Sequence, residues 1–233
     1  EIKPNDNQVM VGDQVVDYDY LVLATGPKLA FDEVKGLGPD GHSVSICTTA
    51  HAKVASDEWE DFCENGGGPI AVGAVQGASC FGPAYEFACI MDTDLKKRGI
   101  RDKCPMTFIT AEPYIGHLGL GGVGDSKGLL ESEFRQRHIK WITNAKVASI
   151  AADKVTVEEV NDEGKTIKTH EVETKHTMFL PAFKGVDTVA KLADVDAGYV
   201  NPRGFVMIND YQQSPIKENI FSLGVNIAIP PVE

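Results

Sequence analysis

An α/β fold is what this sequence predicts, and three observations predict it. The stretch GPIAVGAVQGASCFGPAYEFA, Gly68 to Ala88, runs an apolar strand (Ile70 to Ala74) into a Gly-rich turn and a helix that opens at Pro83. A second apolar strand follows at Met106 to Thr110, and a third, shorter one at Ile139 to Thr143, each separated by a helical stretch. The order β-α-β-α-β, closed by a meander, is a Rossmann-like pattern.

The elements read in order as follows. Residues 8 to 24 form a hairpin and a strand, with Gly12-Asp13 as the turn and Tyr20 to Ala24 as a buried run. A Gly- and Pro-rich loop extends to about Gly41. In TTAHAKVASDEWEDFCENGGG, Thr48 or Thr49 caps a helix that Gly66 to Gly68 end. On the helix after Pro83, Ala84, Phe87, Ala88, Met91 and Leu95 recur at the three-and-four spacing of a buried face, and LKKRG closes it with cations and glycine. A Gly-rich loop precedes a helix over about Leu129 to His138, and AKVASIAADKVTVEEVNDEGKTIKTHEV reads as the meander.

From His176 the pattern changes to a strand in TMFLPAF, a helix-like DTVAKLADV, a strand in GFVMIND and the closing NIFSLGVNIAIP. This tail is too small for a domain, so its strands are expected to join residues 1 to 28 in one sheet. Three segments result: 1–41, the end of one dinucleotide-domain piece with its linker; 42–175, a three-layer inserted domain with the meander; and 176–233, the return segment.

Composition excludes several functions. The 233 residues carry a net charge of −12, with lysine and arginine scattered, which argues against nucleic acid as a partner. No apolar run approaches the roughly 20 residues of a membrane span, so a soluble piece is expected. The five cysteines, Cys47, Cys63, Cys80, Cys89 and Cys104, show neither a disulfide framework nor zinc spacing. The chain opens on Glu1 and closes on IPPVE, which reads as an excised part of a longer protein.

Two turns suit a dinucleotide. YDYLVLATGP and NIFSLGV each end an apolar strand in a small turn that lets backbone approach a ligand, and flanking turns of this kind mark flavoproteins with two dinucleotide-binding domains. Cys80 sits just before the Pro83 helix, where a positive helix end favours a thiolate as it would a phosphate. Cys47 stands between SVSI and a helix cap, His51 four residues on, and His117 between Gly116 and Gly119. Cys63, Cys89 and Cys104 read as structural or exposed thiols.

SICTTAHA, GASCFGPAYEFA, LKKRGIRDK, MTFITAEPYIGHLGLGGVGDSK and GVNIAIPPVE, in this order, resemble the sulfide:quinone oxidoreductases, FAD-dependent members of the disulfide oxidoreductase superfamily. The resemblance covers essentially the whole chain. It implies that Cys80 is a redox cysteine bridged by a disulfide or polysulfide to a cysteine elsewhere in the full protein, and that Cys47 lies near the flavin. It implies proton handling by His51 and His117, and FAD contacts by Thr25, Gly26 and Gly224. Sulfide and quinone are the implied substrates, with the full protein a peripheral membrane protein and a homo-oligomer compatible with it. The isolated piece is expected to hold FAD weakly or not at all.

Two other readings stand beside this one. Glu112, at the end of the second strand, occupies the place where an NAD-binding domain holds a ribose hydroxyl, which would suit an NAD(P)H-dependent flavin oxidoreductase. Pro113 after it, and a first turn that is not a compact GxGxxG, argue that it is a relic. The other reading is a non-catalytic thiol-bearing domain such as a redox sensor.

Overall fold

The computed structural model describes residues 1–229. Pro230 to Glu233, the end of the GVNIAIPPVE motif, lie outside the described residues. In chain order the strands and α-helices are β1 (Ile2–Lys3), β2 (Gln8–Val11), β3 (Gln14–Asp17), β4 (Leu21–Leu23), β5 (Pro27–Leu29), α1 (Thr49–Glu64), β6 (Ile70–Ala74), α2 (Gly82–Lys97), β7 (Met106–Thr110), α3 (Ser126–Gln136), β8 (Ile139–Ile142), β9 (Ala145–Ile150), β10 (Lys154–Val160), β11 (Thr166–Glu173), β12 (His176–Leu180), β13 (Phe183–Gly185), α4 (Asp187–Ala190) and β14 (Ile220–Ser222). They fall into two compact units, one from Glu1–Ala30 with the chain from Phe183 onward, the other from Phe31–Ala182.

The Phe31–Ala182 unit is three layers deep. Its middle layer is a parallel sheet in the order β12-β6-β7-β8. Every residue of β6 is buried, as a central parallel strand requires. Alternation divides the strand between two cores. Ile70, Val72 and Ala74 face Ala84, Ala88, Met91 and Leu95 of α2, whereas Ala71 packs with Val147, Val155 and Val157 of the antiparallel sheet β11-β10-β9. Gly73 has no alternative, because a Cβ there would run into the Ile109 carbonyl of β7.

Helix ends follow local chemistry. Thr48 caps α1 by accepting from the His51 amide at 3.1 Å, and Asp125 caps α3 by accepting from Gly128 at 3.2 Å. That cap starts α3 three residues earlier than the apolar pattern alone suggests. Tyr85, Phe108 and Phe134 form an aromatic cluster under the sheet, with centroid separations of 4.5 to 5.6 Å.

One buried carboxylate joins the carboxyl ends of α2 and α3. Asp92 is fully buried and accepts from Lys96 at 2.8 Å, Arg101 at 2.6 Å and Arg137 at 2.8 Å. Burial alone would raise its pKa, but the three cationic donors outweigh that and hold it below the usual carboxylate range. Arg101 also donates to the carbonyls of Cys104, Arg137 and His138, so the cluster satisfies chain ends rather than an outside ligand.

The other unit has a separate core of Ile2, Leu23, Val189, Leu192, Tyr199, Val200, Val206 and Ile220. The hairpin β2/β3 turns at Gly12, whose φ of 60° suits glycine, and β1 completes an antiparallel sheet. β14 pairs in parallel with β4, and β13 pairs antiparallel with β5.

Four strand readings need correction. The strands from His176 do not all join residues 1 to 28 in one sheet: β12 pairs with β6 in the Phe31–Ala182 unit, and β13 and β14 pair with β5 and β4 in two separate sheets. Tyr20 to Ala24 is not a buried run: β4 pairs only with β14, so Leu23 enters the core while Tyr20 and Val22 stay exposed. TMFLPAF is two strands, since Pro181 cannot continue the ladder beyond Leu180. GFVMIND makes only single bridges, from Val206 to Val200 and Ile227.

His176 is 5% exposed, sits between Trp59 and Phe62 at ring separations of 5.2 and 5.3 Å, and its Nε2 has no partner. Burial lowers its pKa to about 4. The unfolded chain therefore binds a proton below about pH 6.5 that the folded chain refuses until about pH 4. Stability should fall by at most about 3 kcal/mol across that window, and urea midpoints measured against pH should show this limb flattened in His176→Phe. Asp92→Asn should cost about 3 kcal/mol in the same assay, because it removes the buried negative charge that the Arg101 and Arg137 guanidinium groups share.

Candidate functional site

Parallel pairing brings the ends of β6 and β7 to one edge of their sheet, so the turn after β6 and the loop after β7 are neighbours. The turn carries Cys80, which is exposed and immediately precedes Phe81, the N-terminal cap residue of α2. Gln76 anchors this turn to β9 by donating to the Val147 carbonyl at 3.1 Å and accepting from its amide at 2.9 Å.

Cys47 reaches the same region from the segment before α1. It is half-buried, and Val44 three residues earlier bridges to Met178 of β12. Burial pushes the Cys47 thiol up, a hydrogen bond from Ser45 pulls it back, and the nearby Cys80 sulfur adds a further upward push. Cys47 packs on the same core as Phe81, the residue after Cys80. Ser45 is the residue that sequence reasoning missed. It is 1% exposed, its Oγ accepts from the Cys47 amide at 3.3 Å, and it lies 3.1 Å from His51 Nδ1. His51 also packs against Phe31 at 5.9 Å. Cys47 and His51 therefore meet at one buried hydroxyl, and a serine two residues before the cysteine was the available signal.

His117 lies in the loop after β7. Its Nδ1 accepts from the Gly119 amide at 3.2 Å, so the neutral ring carries its proton on Nε2. Tyr114 packs edge-on to it at 5.2 Å. The loop leans on the cysteine turn, because a Cβ at Gly119 would come within 3.1 Å of the Phe81 ring. Glu112, at the foot of this loop, is 2% exposed and fully engaged: Oε2 accepts from Tyr85 Oη at 2.7 Å and Thr110 Oγ1 at 2.6 Å, and Oε1 accepts from the Leu118 amide at 2.6 Å.

Thr25, Gly26 and Gly224 belong to the other unit, at the carboxyl ends of the parallel pair β4 and β14. Gly26 and Gly224 have φ of 69° and 78°, and nothing lies within 4 Å of where a Cβ would stand. The two turns are tied together: Ser222 Oγ donates to Leu23 O at 3.1 Å, and Asn226 Nδ2 donates to Leu23 O at 3.2 Å and Ser222 Oγ at 3.1 Å. Asn226 Oδ1 is buried without a partner. Open backbone at the carboxyl end of parallel strands, beside an orphaned acceptor, fits a dinucleotide.

The model of the pyridine nucleotide-disulphide oxidoreductase family matches residues 1–226, and the chain belongs to that family. It is 47% identical over all 233 residues to the sulfide-quinone reductase of Aquifex aeolicus (strain VF5), covering 52% of that protein. It is 28% identical to the mitochondrial sulfide:quinone oxidoreductase of Dictyostelium discoideum, over 98% of this chain and 48% of the other. The crystal structure of the sulfide:quinone oxidoreductase from Aquifex aeolicus superposes with a TM-score of 0.90 at 46% identity, over 100% of this chain and 52% of that one. The chain thus spans about half the length of the relatives it matches.

Ser45 should set Cys47 reactivity. Ser45→Ala removes the acceptor of the Cys47 amide and the partner of His51 Nδ1, which loosens the segment that half-buries the thiol, so alkylation of Cys47 by iodoacetamide near pH 8 should speed up by about threefold. Peptide mapping over time would read the rate, and an unchanged rate would show that the hydroxyl does not hold the cysteine segment.

Proposed function

We propose that this member of the pyridine nucleotide-disulphide oxidoreductase family works, within its full-length protein, as a sulfide:quinone oxidoreductase. The observation that carries the reading is Cys47, held with His51 on the Ser45 hydroxyl and packed on the same core as Phe81, which follows the exposed Cys80, in a chain 47% identical over its 233 residues to a sulfide-quinone reductase. On this reading the NAD(P)-binding-like domain, drawn at residues 42–175 from the sequence and widened to Phe31–Ala182 by the pairing of β12 with β6, is inserted into an FAD-binding domain to which Glu1–Ala30 and the chain from Phe183 contribute. Thr25, Gly26 and Gly224 hold FAD, with Asn226 Oδ1 as a waiting acceptor.

Hydrosulfide attacks a sulfur bridged to Cys80; one S–S bond forms, another breaks, and the displaced thiolate leaves with the electron pair. Cys80 is suited to this by exposure, and Cys47 by its position beside it. FAD supplies the two-electron acceptor and the route to quinone. Overall, hydrosulfide loses two electrons and its one proton, quinone gains the two electrons with that proton and a second from solvent, and one sulfur atom joins the polysulfide product. His51, held by Ser45 through Nδ1, and His117, with its proton on Nε2, take and return protons. No helix among the described residues is long and apolar enough to cross a membrane. Association of the full protein with a membrane surface, where quinone is met, belongs to this proposal.

Stopped-flow absorbance at the flavin band tests the reading in the full protein. Sulfide should bleach the flavin, and Cys80→Ala should slow that bleaching by at least about a hundredfold. Bleaching unchanged in Cys80→Ala would remove the cysteine from the mechanism.

A further inference from the structure

In a doubly wound domain, the carboxylate after the second strand faces outward and accepts the ribose hydroxyls of a bound dinucleotide. β6 and β7 are the first and second strands of this unit's parallel sheet, and Glu112 stands two residues beyond β7. Its oxygens face the other way. Tyr85 and Thr110 take one, the Leu118 amide takes the other, and the side chain is buried.

The same network fastens the loop. Tyr85 Oη, while donating to Glu112, accepts from the Gly116 amide at 3.0 Å, so a single helix residue and a single carboxylate hold the amides on both sides of His117. Leu118 is kept at a φ of 57°, a left-handed conformation costly for leucine, and its hydrogen bond to Glu112 offsets that cost. Gly119 then rests on Phe81, at the start of α2, where a pyrophosphate would otherwise meet the helix. The burial of Tyr85 keeps its phenol protonated, as a donor to Glu112 must be.

We propose that Glu112 is a specificity-determining residue: its carboxylate holds the loop from Tyr114 to Gly122 between the end of β7 and the start of α2, and thereby shuts a nicotinamide dinucleotide out of this unit. The proposal rests on the sulfide reading, which it deepens by explaining why electrons enter from sulfide rather than from NADH.

The test is calorimetric titration of the full protein with ADP-ribose, which carries the ribose and pyrophosphate but no redox group. The double variant Tyr85→Phe, Thr110→Val strips both donors from Oε2 while leaving the carboxylate in place. It should bind ADP-ribose at least about tenfold more tightly than the unaltered protein, and adding Glu112→Ala should abolish the gain. Hydrogen exchange gives a readout that does not depend on the double variant folding: Glu112→Ala, which removes the acceptor of the Leu118 amide, should speed exchange of that amide by at least about tenfold. Equal ADP-ribose affinity in the unaltered protein and a folded double variant overturns the proposal, as does unchanged exchange of the Leu118 amide in Glu112→Ala. Sulfide bleaching of the flavin, measured on the same unaltered protein, separates the two claims. Bleaching with no ADP-ribose gain overturns the lock alone, whereas a gain without bleaching overturns the sulfide reading alone.

Discussion

Parallel hydrogen bonding among β12, β6, β7 and β8 is the constraint on which the rest of the Phe31–Ala182 unit depends. It directs the ends of β6 and β7 to the same edge, so a turn bearing Cys80 and a loop bearing His117 become neighbours although 37 positions separate them in sequence. It also requires β6 to be buried on both faces, which places α2 on one side and the meander on the other. Cys80 and His117 stand on short connections held by that sheet.

The sheet's carboxyl edge is then closed by polar groups that satisfy one another. Ser45 serves Cys47 and His51, while Glu112 serves Tyr85, Thr110 and Leu118. A domain pattern that ordinarily leaves backbone amides and a carboxylate free for a nucleotide here commits its carboxylate to its own chain. Two thiols stand in the turn region instead. In the Glu1–Ala30 and Phe183 onward unit the opposite holds: Gly26 and Gly224 leave open space, and Asn226 Oδ1 lacks a partner.

The legible parts of the sequence were those governed by local rules. β6 and β7 begin and end at the residues where apolar runs meet turns, Thr48 caps α1, and the buried face of α2 follows its three-and-four spacing. What was not legible depended on partners distant in sequence. The exposure of Tyr20 and Val22 reflects which strand β4 pairs with, and GFVMIND fails as a strand because Val206 finds only isolated bridges. At the site, cysteine and histidine were visible by residue type. The engagement of Glu112 was not, because a carboxylate after a strand looks the same whether it faces a ribose or a tyrosine 27 residues away.

The central claim is that sulfur chemistry occurs at Cys80. The most direct measurement is peptide mass mapping of the full protein after brief anaerobic exposure to sulfide and rapid alkylation. The account predicts mass added in whole sulfur atoms on the peptide carrying Cys80. Flavin reduction by sulfide at full rate, with no sulfur ever found on Cys80, would contradict it.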